Sequence, residues 1–433
     1  MWRKIIETVG TRYFVALLNL LLIFVHAKAL GPGGMGLIGV LYASANIAFV
    51  FNSILCGNTI IYFLHRYHSH YVFWPAYFWA FAGSAIACAV MTLTRTIPEG
   101  YGAAVYTLAV LLSLVAVHAR MLLGRDRIRA FNLTHILQGA MLFPAVLYLY
   151  YVADRRNAGG YLCALFIANG LAWAVSLVML ARPGRRPPPS AVRRPRSTLR
   201  LMREMFVYGL WSSADNLAEN LTVRLNYFLL QRMGGYAQVG MLDAGTKIAE
   251  SVWHISRSIG FISYSEVAKT SDADTQRQIT LRLFKLTFCT ITLLLLAIGF
   301  IPERIYTDYL FTPEFRGIRR LIHTLSPGIL AFGANTILSH HFIGTGRVKY
   351  SAACSGIGLL VLLAAGATLI PAAGIFGAAL STSIAFVAML AFSLTVFVRL
   401  TRTPLHELLP EKNDLRHITR HLRHVVNDER HAR

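Results

Sequence analysis

The chain is 433 residues long, 55% hydrophobic and only 14% charged, with a formal net charge of +22. So few charges over such a length exclude a water-soluble globular domain and a disordered polyelectrolyte, and indicate a polytopic membrane protein. The basic surplus does not mark a nucleic-acid partner, because lysines and arginines gather in short connections between apolar runs and toward the C-terminus, where a positive-inside bias places them.

In chain order, Met1–Val9 comes first, with Trp2, Ile5, Ile6 and Val9 on one side, which fits a short amphipathic helix on an anionic leaflet. The first apolar run, from Tyr13 to Leu30, has no small-residue cleavage site and is expected to remain as a span. Runs able to cross ~30 Å of hydrocarbon follow at 11–30, 36–64, 72–94, 101–123, 130–152, 159–181, 204–231, 237–265, 281–301, 318–343, 350–370 and 374–398. With the N-terminus inside, the inner connections and tail hold 27 lysines and arginines and the outer ones nine. Both termini are therefore expected in the cytoplasm. The five cysteines all lie in apolar runs without framework or metal spacing, and read as small buried residues.

A Pro- and Arg-rich stretch, 182–203, with eight arginines, divides the chain nearly in half as an exposed connector. The expected organisation is an N-terminal six-helix lobe (1–181), this basic linker, a C-terminal six-helix lobe (204–398) and a basic tail (399–433). Two short repeats survive across the linker. Gly31-x4-Gly36 matches Gly235-x4-Gly240, and Gly124-Arg-Asp-Arg127-Ile-Arg129 matches Gly344-Thr-Gly-Arg347-Val-Lys349. Six spans per half is an even number, so the halves keep the same orientation, with a cleft between them. The fold class is thus an all-α polytopic membrane protein of about twelve helices in two parallel lobes. In the tail, Asp414–Val426 puts Leu415, Ile418, Leu422 and Val425 on one side of an interfacial helix.

The eighth span carries Asp243, Lys247, Glu250, His254 and Arg257 at spacings of four, three, four and three, within about 80° of one helical face. An ionisable group at bilayer depth costs on the order of 2.5–3.5 kcal/mol. Five in register imply a water-filled or charge-paired interior, either a pathway or a set of internal salt bridges. The seventh span complements it, with Asp215, Glu219, Thr222 and Asn226 on one face and Asn216, Asn220 and Arg224 on the next. The first span places Arg12, Asn19 and His26 on one face, although Arg12 also fits a side chain reaching the inner interface. The cationic set Arg224, Arg257, Lys247 and Arg12 is suited to an anionic substrate. Asp215, Glu219, Asp243, Glu250, His254 and Asn226 form the polar set able to titrate or couple.

Other motifs fail on context. Asp272-Ala-Asp274 spells a metal–nucleotide motif but lies in a short loop without a nucleotide-binding domain. His65, His68 and His70 read as an interfacial loop, and His417, His421 and His424 as surface charge on the tail. P-loop, nucleophile-elbow and HExxH sequences are missing, and nothing implies a cofactor, a metal or ATP hydrolysis.

Several stretches together resemble bacterial polysaccharide flippases, the Wzx-type O-antigen and capsule transporters. They are Ala29-Leu-Gly-Pro-Gly-Gly-Met-Gly36, Tyr208-Gly-Leu with Val223-Arg-Leu-Asn-Tyr-Phe228, and Ile248-Ala-Glu250-Ser-Val-Trp253. Leu325-Ser-Pro-Gly328, the turn at Arg347 and Pro371-Ala-Ala-Gly-Ile-Phe-Gly-Ala-Ala379 complete the pattern. The resemblance implies the superfamily of multidrug/toxin extrusion transporters and lipid II flippases, two six-helix lobes, and alternating access. It further implies export of undecaprenyl-pyrophosphate-linked oligosaccharide repeat units across the bacterial inner membrane. Its implied partners are the lipid-linked oligosaccharide, membrane lipids and the polysaccharide polymerase and chain-length machinery. Many relatives carry Asp where this chain has Asn226, which weakens that position as an ion-coupling site. Two other readings remain open: small-molecule efflux by cation antiport, and a membrane polymerase or glycosyltransferase. The latter calls for a sizeable outer loop or an acidic motif in the first one, and Lys28–Met35 contains neither Asp nor Glu.

Overall fold

A computed structural model of the chain describes residues 2–64, 66–125, 127–182, 195, 197–270 and 272–408, except for the side chains of 2–13, 211, 212, 265, 405 and 406. The amphipathic tail with its three histidines, His65, most of the linker, and the side chains of Met1–Val9 and Arg12 lie outside the described residues.

The regular elements are helices, as a bilayer requires of backbone that must satisfy its own hydrogen bonds. They are α1 (Trp2–Cys56), α2 (Asn58–Leu64), α3 (Ser69–Leu93), α4 (Gly102–Gly124), α5 (Ile128–Leu147), α6 (Ala158–Ala181), α7 (Thr198–Glu250), α8 (Trp253–Lys269), α9 (Ala273–Phe300), α10 (Ile318–Gly344) and α11 (Val348–Thr401). Single π-helical turns, Tyr148–Val152 and Ile305–Leu310, cover one end of the bundle. Among the described residues eight helices are long and apolar enough to cross a membrane, two of them 51 and 54 residues long and so sufficient for two crossings each. α7 has 53 residues but carries the charged cluster. Counted by limb, with the second limb of α7 and α8 taken together as one span, twelve membrane-length segments result among the described residues.

The outer loops expected after spans 1, 7 and 11 shrink to a single residue each. α1 bends at Gly31 (φ 63, ψ −177), α7 at Gly235 (φ 72, ψ 178) and α11 at Gly374 (φ 55, ψ −126). The left-handed φ at Gly31 and Gly235 is one that side chains with a Cβ rarely adopt, so glycine lets the helix reverse without a loop. All three bends lie at one end of the bundle, called here the kink end; the end of α6 and the start of α7 lie at the far end.

The repeats correspond to equivalent structure. The residues before α5 and α11, Arg127 (φ −90, ψ 60) and Arg347 (φ −96, ψ 42), have nearly the same backbone. Their amides donate to Leu122 O (2.9 Å) and Phe342 O (2.7 Å). Gly124 lies against Leu64, and Gly344 against Val267, so the helix ends are packed alike as well.

Gly36 and Gly240 form one close approach between the halves; Gly209 against the Ile54 carbonyl, toward the far end, is another. A Cβ on Gly36 would stand 2.7 Å from the Tyr236 carbonyl carbon and 2.8 Å from the Gly240 nitrogen; one on Gly240 would stand 2.8 Å from both the Pro32 carbonyl carbon and the Gly36 nitrogen. The contact is reciprocal, each glycine touching the residue after the other half's bend. Below it Ile23, Ala27 and Met35 share a buried cluster with Ala244, Ile248 and Phe315. Toward the far end, Tyr62 stacks on Tyr208 with ring centroids 4.2 Å apart.

The eighth span tightens between α7 and α8. Ser251 (φ −55, ψ −28) and Val252 (φ −65, ψ −27) keep right-handed helical backbone, and Ser251 N still donates to Lys247 O (3.1 Å). The Ser251 hydroxyl donates to Ile248 O (2.7 Å), and the local bonds shorten to Val252 N–Ala249 O and Ile255 N–Val252 O. The tight turn lies between Glu250 and His254.

Candidate functional site

The bend at Gly235 lays the two limbs of α7 side by side, so that Arg224 on the first meets acidic side chains of the second. Arg224 Nη1 donates to the Tyr227 hydroxyl (2.6 Å) and Nη2 to Glu250 Oε2 (3.1 Å). The Tyr227 hydroxyl donates in turn to Asp243 Oδ1 (2.9 Å), and Lys247 Nζ donates to Asp243 Oδ2 (2.7 Å). The result is one chain, Lys247–Asp243–Tyr227–Arg224–Glu250. Arg224 and Lys247 each lie roughly 17 Å along their limb from Gly235, near mid-bilayer. Yet Lys247 is 29% and Arg224 21% exposed, against 2% for Asp243. The cations therefore keep part of their surface open while the central carboxylate is enclosed. Glu250 Oε1 has no hydrogen-bond partner among the described residues.

The opposing wall comes from α1. A Cβ on Gly39 would stand 3.4 Å from Asp243 Cγ, so the small residue admits the carboxylate. Tyr42 is 40% exposed and within electrostatic reach of Arg224. Asn46 Nδ2 donates to Asn220 Oδ1 across the halves (3.4 Å). His26 lies within reach of Lys247, its Nδ1 3.1 Å from the Tyr150 hydroxyl and its ring edge-on to Tyr161.

The remaining predicted residues divide. Glu219 lies within electrostatic reach of Arg257 and Asp215, and His254 of Arg257. Arg257 and His254 are exposed on α8, and the Arg257 guanidinium makes no hydrogen bond among the described residues. Asp215 turns to α11, accepting from Ser351 Oγ (2.8 Å) and Ser355 Oγ (2.6 Å). Asn226 is buried away from the cluster, its Nδ2 facing Ala378 O (2.9 Å), Ser381 Oγ (3.0 Å) and Thr382 Oγ1 (2.8 Å). Of the rejected motifs, Asp272 caps α9 by accepting from Thr275 N (2.9 Å), and Asp274 pairs with Arg277 at 3.6 Å. No group of His, Cys, Asp and Glu that could hold a metal occurs among the described residues.

Sequence reasoning missed Tyr227, the bridge between Arg224 and Asp243; its position three residues after Arg224 is the available signal. It also missed a polar node in the N-terminal half. His118 Nε2 meets the Tyr77 hydroxyl and Nδ1 meets Ser176 Oγ (2.7 Å). Ser176 spends its proton on Trp173 O (2.8 Å), so Nδ1 is the donor and Nε2 accepts from Tyr77. These residues come from three helices and share no sequence spacing.

No family model and no curated protein matches the sequence. Solved structures do match. This is a MATE- and MurJ-like fold. An inward-facing multidrug-resistance MATE transporter of the MOP superfamily aligns with a TM-score of 0.67 at 12% identity, over 90% of this chain and 94% of its own. The lipid II flippase MurJ, in an inward closed conformation, aligns at 0.73 and 10% identity, over 93% and 89%. A eukaryotic MATE transporter aligns at 0.56 and 12% identity, over 92% and 95%. At these identities the likeness is one of fold, that of a multi-pass, two-lobed membrane protein.

Proposed function

We propose that the chain moves an undecaprenyl-pyrophosphate-linked oligosaccharide across the bacterial inner membrane by alternating access, with both termini cytoplasmic. The supporting observation is the pair of partly exposed cations, Arg224 and Lys247, held at mid-bilayer opposite Tyr42 and Asn46. Guanidinium forks suit phosphate oxygens, and amide and aromatic side chains suit sugars. The substrate's pyrophosphate and Glu250 are alternative partners for Arg224. Protonation of Glu250, or of Asp243 beside Lys247, releases a cation to the substrate, which links proton binding to substrate binding. Arg257 extends the cationic surface toward the far end, Asp215, Glu219 and His254 surround it, and Arg12, its side chain outside the described residues, is assigned to the same cationic set from the sequence. Asn226, bonded to the last limb of α11, supports the seventh span. Near the far end Phe14 and Leu17 of α1 and Phe261 and Ile262 of α8 are exposed, an apolar flank suited to a polyprenyl tail. Transport rather than enzyme chemistry agrees with the proteins that share the fold.

The test is flipping of a fluorescent lipid-linked oligosaccharide by purified protein in liposomes. Arg224→Lys lowers the rate and the Arg224→Ala/Arg257→Ala pair abolishes it, while Asp243→Asn and Glu250→Gln bind substrate yet lose dependence on an imposed pH gradient. Wild-type rates in the double alanine variant, or export of a cationic dye in place of the lipid-linked sugar, would overturn the proposal.

A further inference from the structure

Away from the cleft, a cavity of about 570 Å³ opens where α5 begins and α6 ends, lined by Arg127, Arg129 and Arg182 together with Ile128, Leu133 and Met179. Arg127 is fixed, its Nη1 donating to the carbonyls of Met179 and Arg182, and Arg125 Nη1 donates to Leu180 O (3.0 Å). These bonds satisfy carbonyls that the last turn of α6 leaves open and hold the two helix ends together. Arg129 and Arg182 differ. Both are exposed, and among the described residues neither guanidinium has a hydrogen bond or an ion pair; Asp126 lies outside the described residues. The same corner is apolar on its other side, where Leu133 is 37% and Val178 58% exposed. In a multi-pass protein those two side chains meet lipid tails.

We propose that this cavity binds the anionic headgroup of a phospholipid, its phosphate held by Arg129 and Arg182 and its acyl chains lying along Leu133 and Val178. A solvated positive face needs no concavity. Here three guanidinium groups converge on one cavity, one prefixed by backbone bonds and two without a partner among the described residues. Guanidinium groups take phosphate oxygens two at a time, and a basic pocket between helices at the membrane surface recognises lipid headgroups by charge. The bound lipid clamps α5 to α6 at the end where the linker leaves the first lobe. The inference does not depend on what the cleft carries.

Native mass spectrometry of the full chain, with added phosphatidylglycerol, cardiolipin or phosphatidylcholine, reads the binding directly. Phosphatidylglycerol and cardiolipin are retained and phosphatidylcholine is not. Arg129→Gln/Arg182→Gln weakens retention roughly thirtyfold, each arginine contributing one charge at the surface. Arg129→Lys/Arg182→Lys keeps most of the binding, and Arg155→Gln/Arg156→Gln at the kink end keeps all of it. Equal retention of phosphatidylcholine, or unchanged affinity in the glutamine pair, would overturn the assignment. Farnesyl pyrophosphate and inorganic phosphate are run beside the lipids. Protection by farnesyl pyrophosphate without retention of phosphatidylglycerol would make this a site for isoprenoid pyrophosphates and likewise overturn it.

Discussion

Replacing Gly36 or Gly240 by alanine tests how the kink end closes. A Cβ at either site would stand 2.7–2.8 Å from a backbone carbonyl carbon of the other half. Carbon atoms rest near 3.5 Å, and the carbonyl oxygens of Tyr236 and Pro32 would stand closer still to the added Cβ, so the limbs must part by more than about 0.8 Å. The neighbour is backbone within a bent helix and cannot swing aside as a side chain would. Overpacking of this kind costs about 1–3 kcal/mol, and the cost falls on the conformation closed at this end, since an open one separates the two glycines. The shift in population is therefore roughly 5- to 150-fold toward the open form. Met35, fully buried beneath the contact, reports it. In a background with the five native cysteines changed to alanine, Met35→Cys is labelled by a membrane-impermeant maleimide from the kink-end side. Gly36→Ala should accelerate labelling within that range, and Gly36→Ala/Gly240→Ala further. An unchanged or slower rate in a variant that melts like wild type would refute the reasoning, because the two glycines would then be in contact without gating access.

Arg224→Met alone leaves Glu250 enclosed without its cation and should lower stability by about 3–5 kcal/mol, whereas Arg224→Met/Glu250→Gln should recover most of it; thermal unfolding in detergent compares them, and equal melts for single and double variants would count against the pairing. Tyr227→Phe removes the link between Arg224 and Asp243 while keeping the ring, and should lose the pH-gradient dependence of flipping more than substrate binding. At Asp272, hydrogen bonds from Thr275 hold the carboxyl below its ordinary range. Its contribution to stability is thus present above the unfolded-state value and is lost as pH falls through the folded one. Asp272→Asn should keep the α9 cap yet remove this acid-side loss, read as melting temperature between pH 6 and pH 3; identical acid profiles would show that the cap does not titrate.

The membrane-length segments are legible in the sequence because a bilayer demands some twenty apolar residues per crossing, a requirement hard to hide. Gly31 and Gly235 were legible as a repeat but not as bends, since a repeat does not reveal how few residues a reversal needs. The polar face of span 8 was readable from its period. The tightened turn at Ser251–Val252 was not, because it is set by local backbone bonds such as Val252 N to Ala249 O rather than by any period in the sequence. Asn226 shares its face with Asp215 in sequence, and both are taken up by α11, Asp215 by Ser351 and Ser355 and Asn226 by Ala378 and Thr382, a pairing that the period alone does not name. Residues such as Tyr42, His118 and Trp173 acquire their surroundings only when several helices assemble, and helix periodicity says nothing about which helices those are.

The three single-residue bends have a mechanical consequence. A loop of several residues stores slack, and a helix joined by one can slide or turn without pulling its neighbour. Across Gly31, Gly235 and Gly374 there is no such slack, so each pair of limbs behaves as a bent rod with a swivel limited to two dihedral angles. Any tilt of the limb that bears Arg224 is delivered at once to the limb that bears Asp243 and Lys247. The charged chain thus spans the two arms of one lever, and its hydrogen bonds set how wide that lever stands.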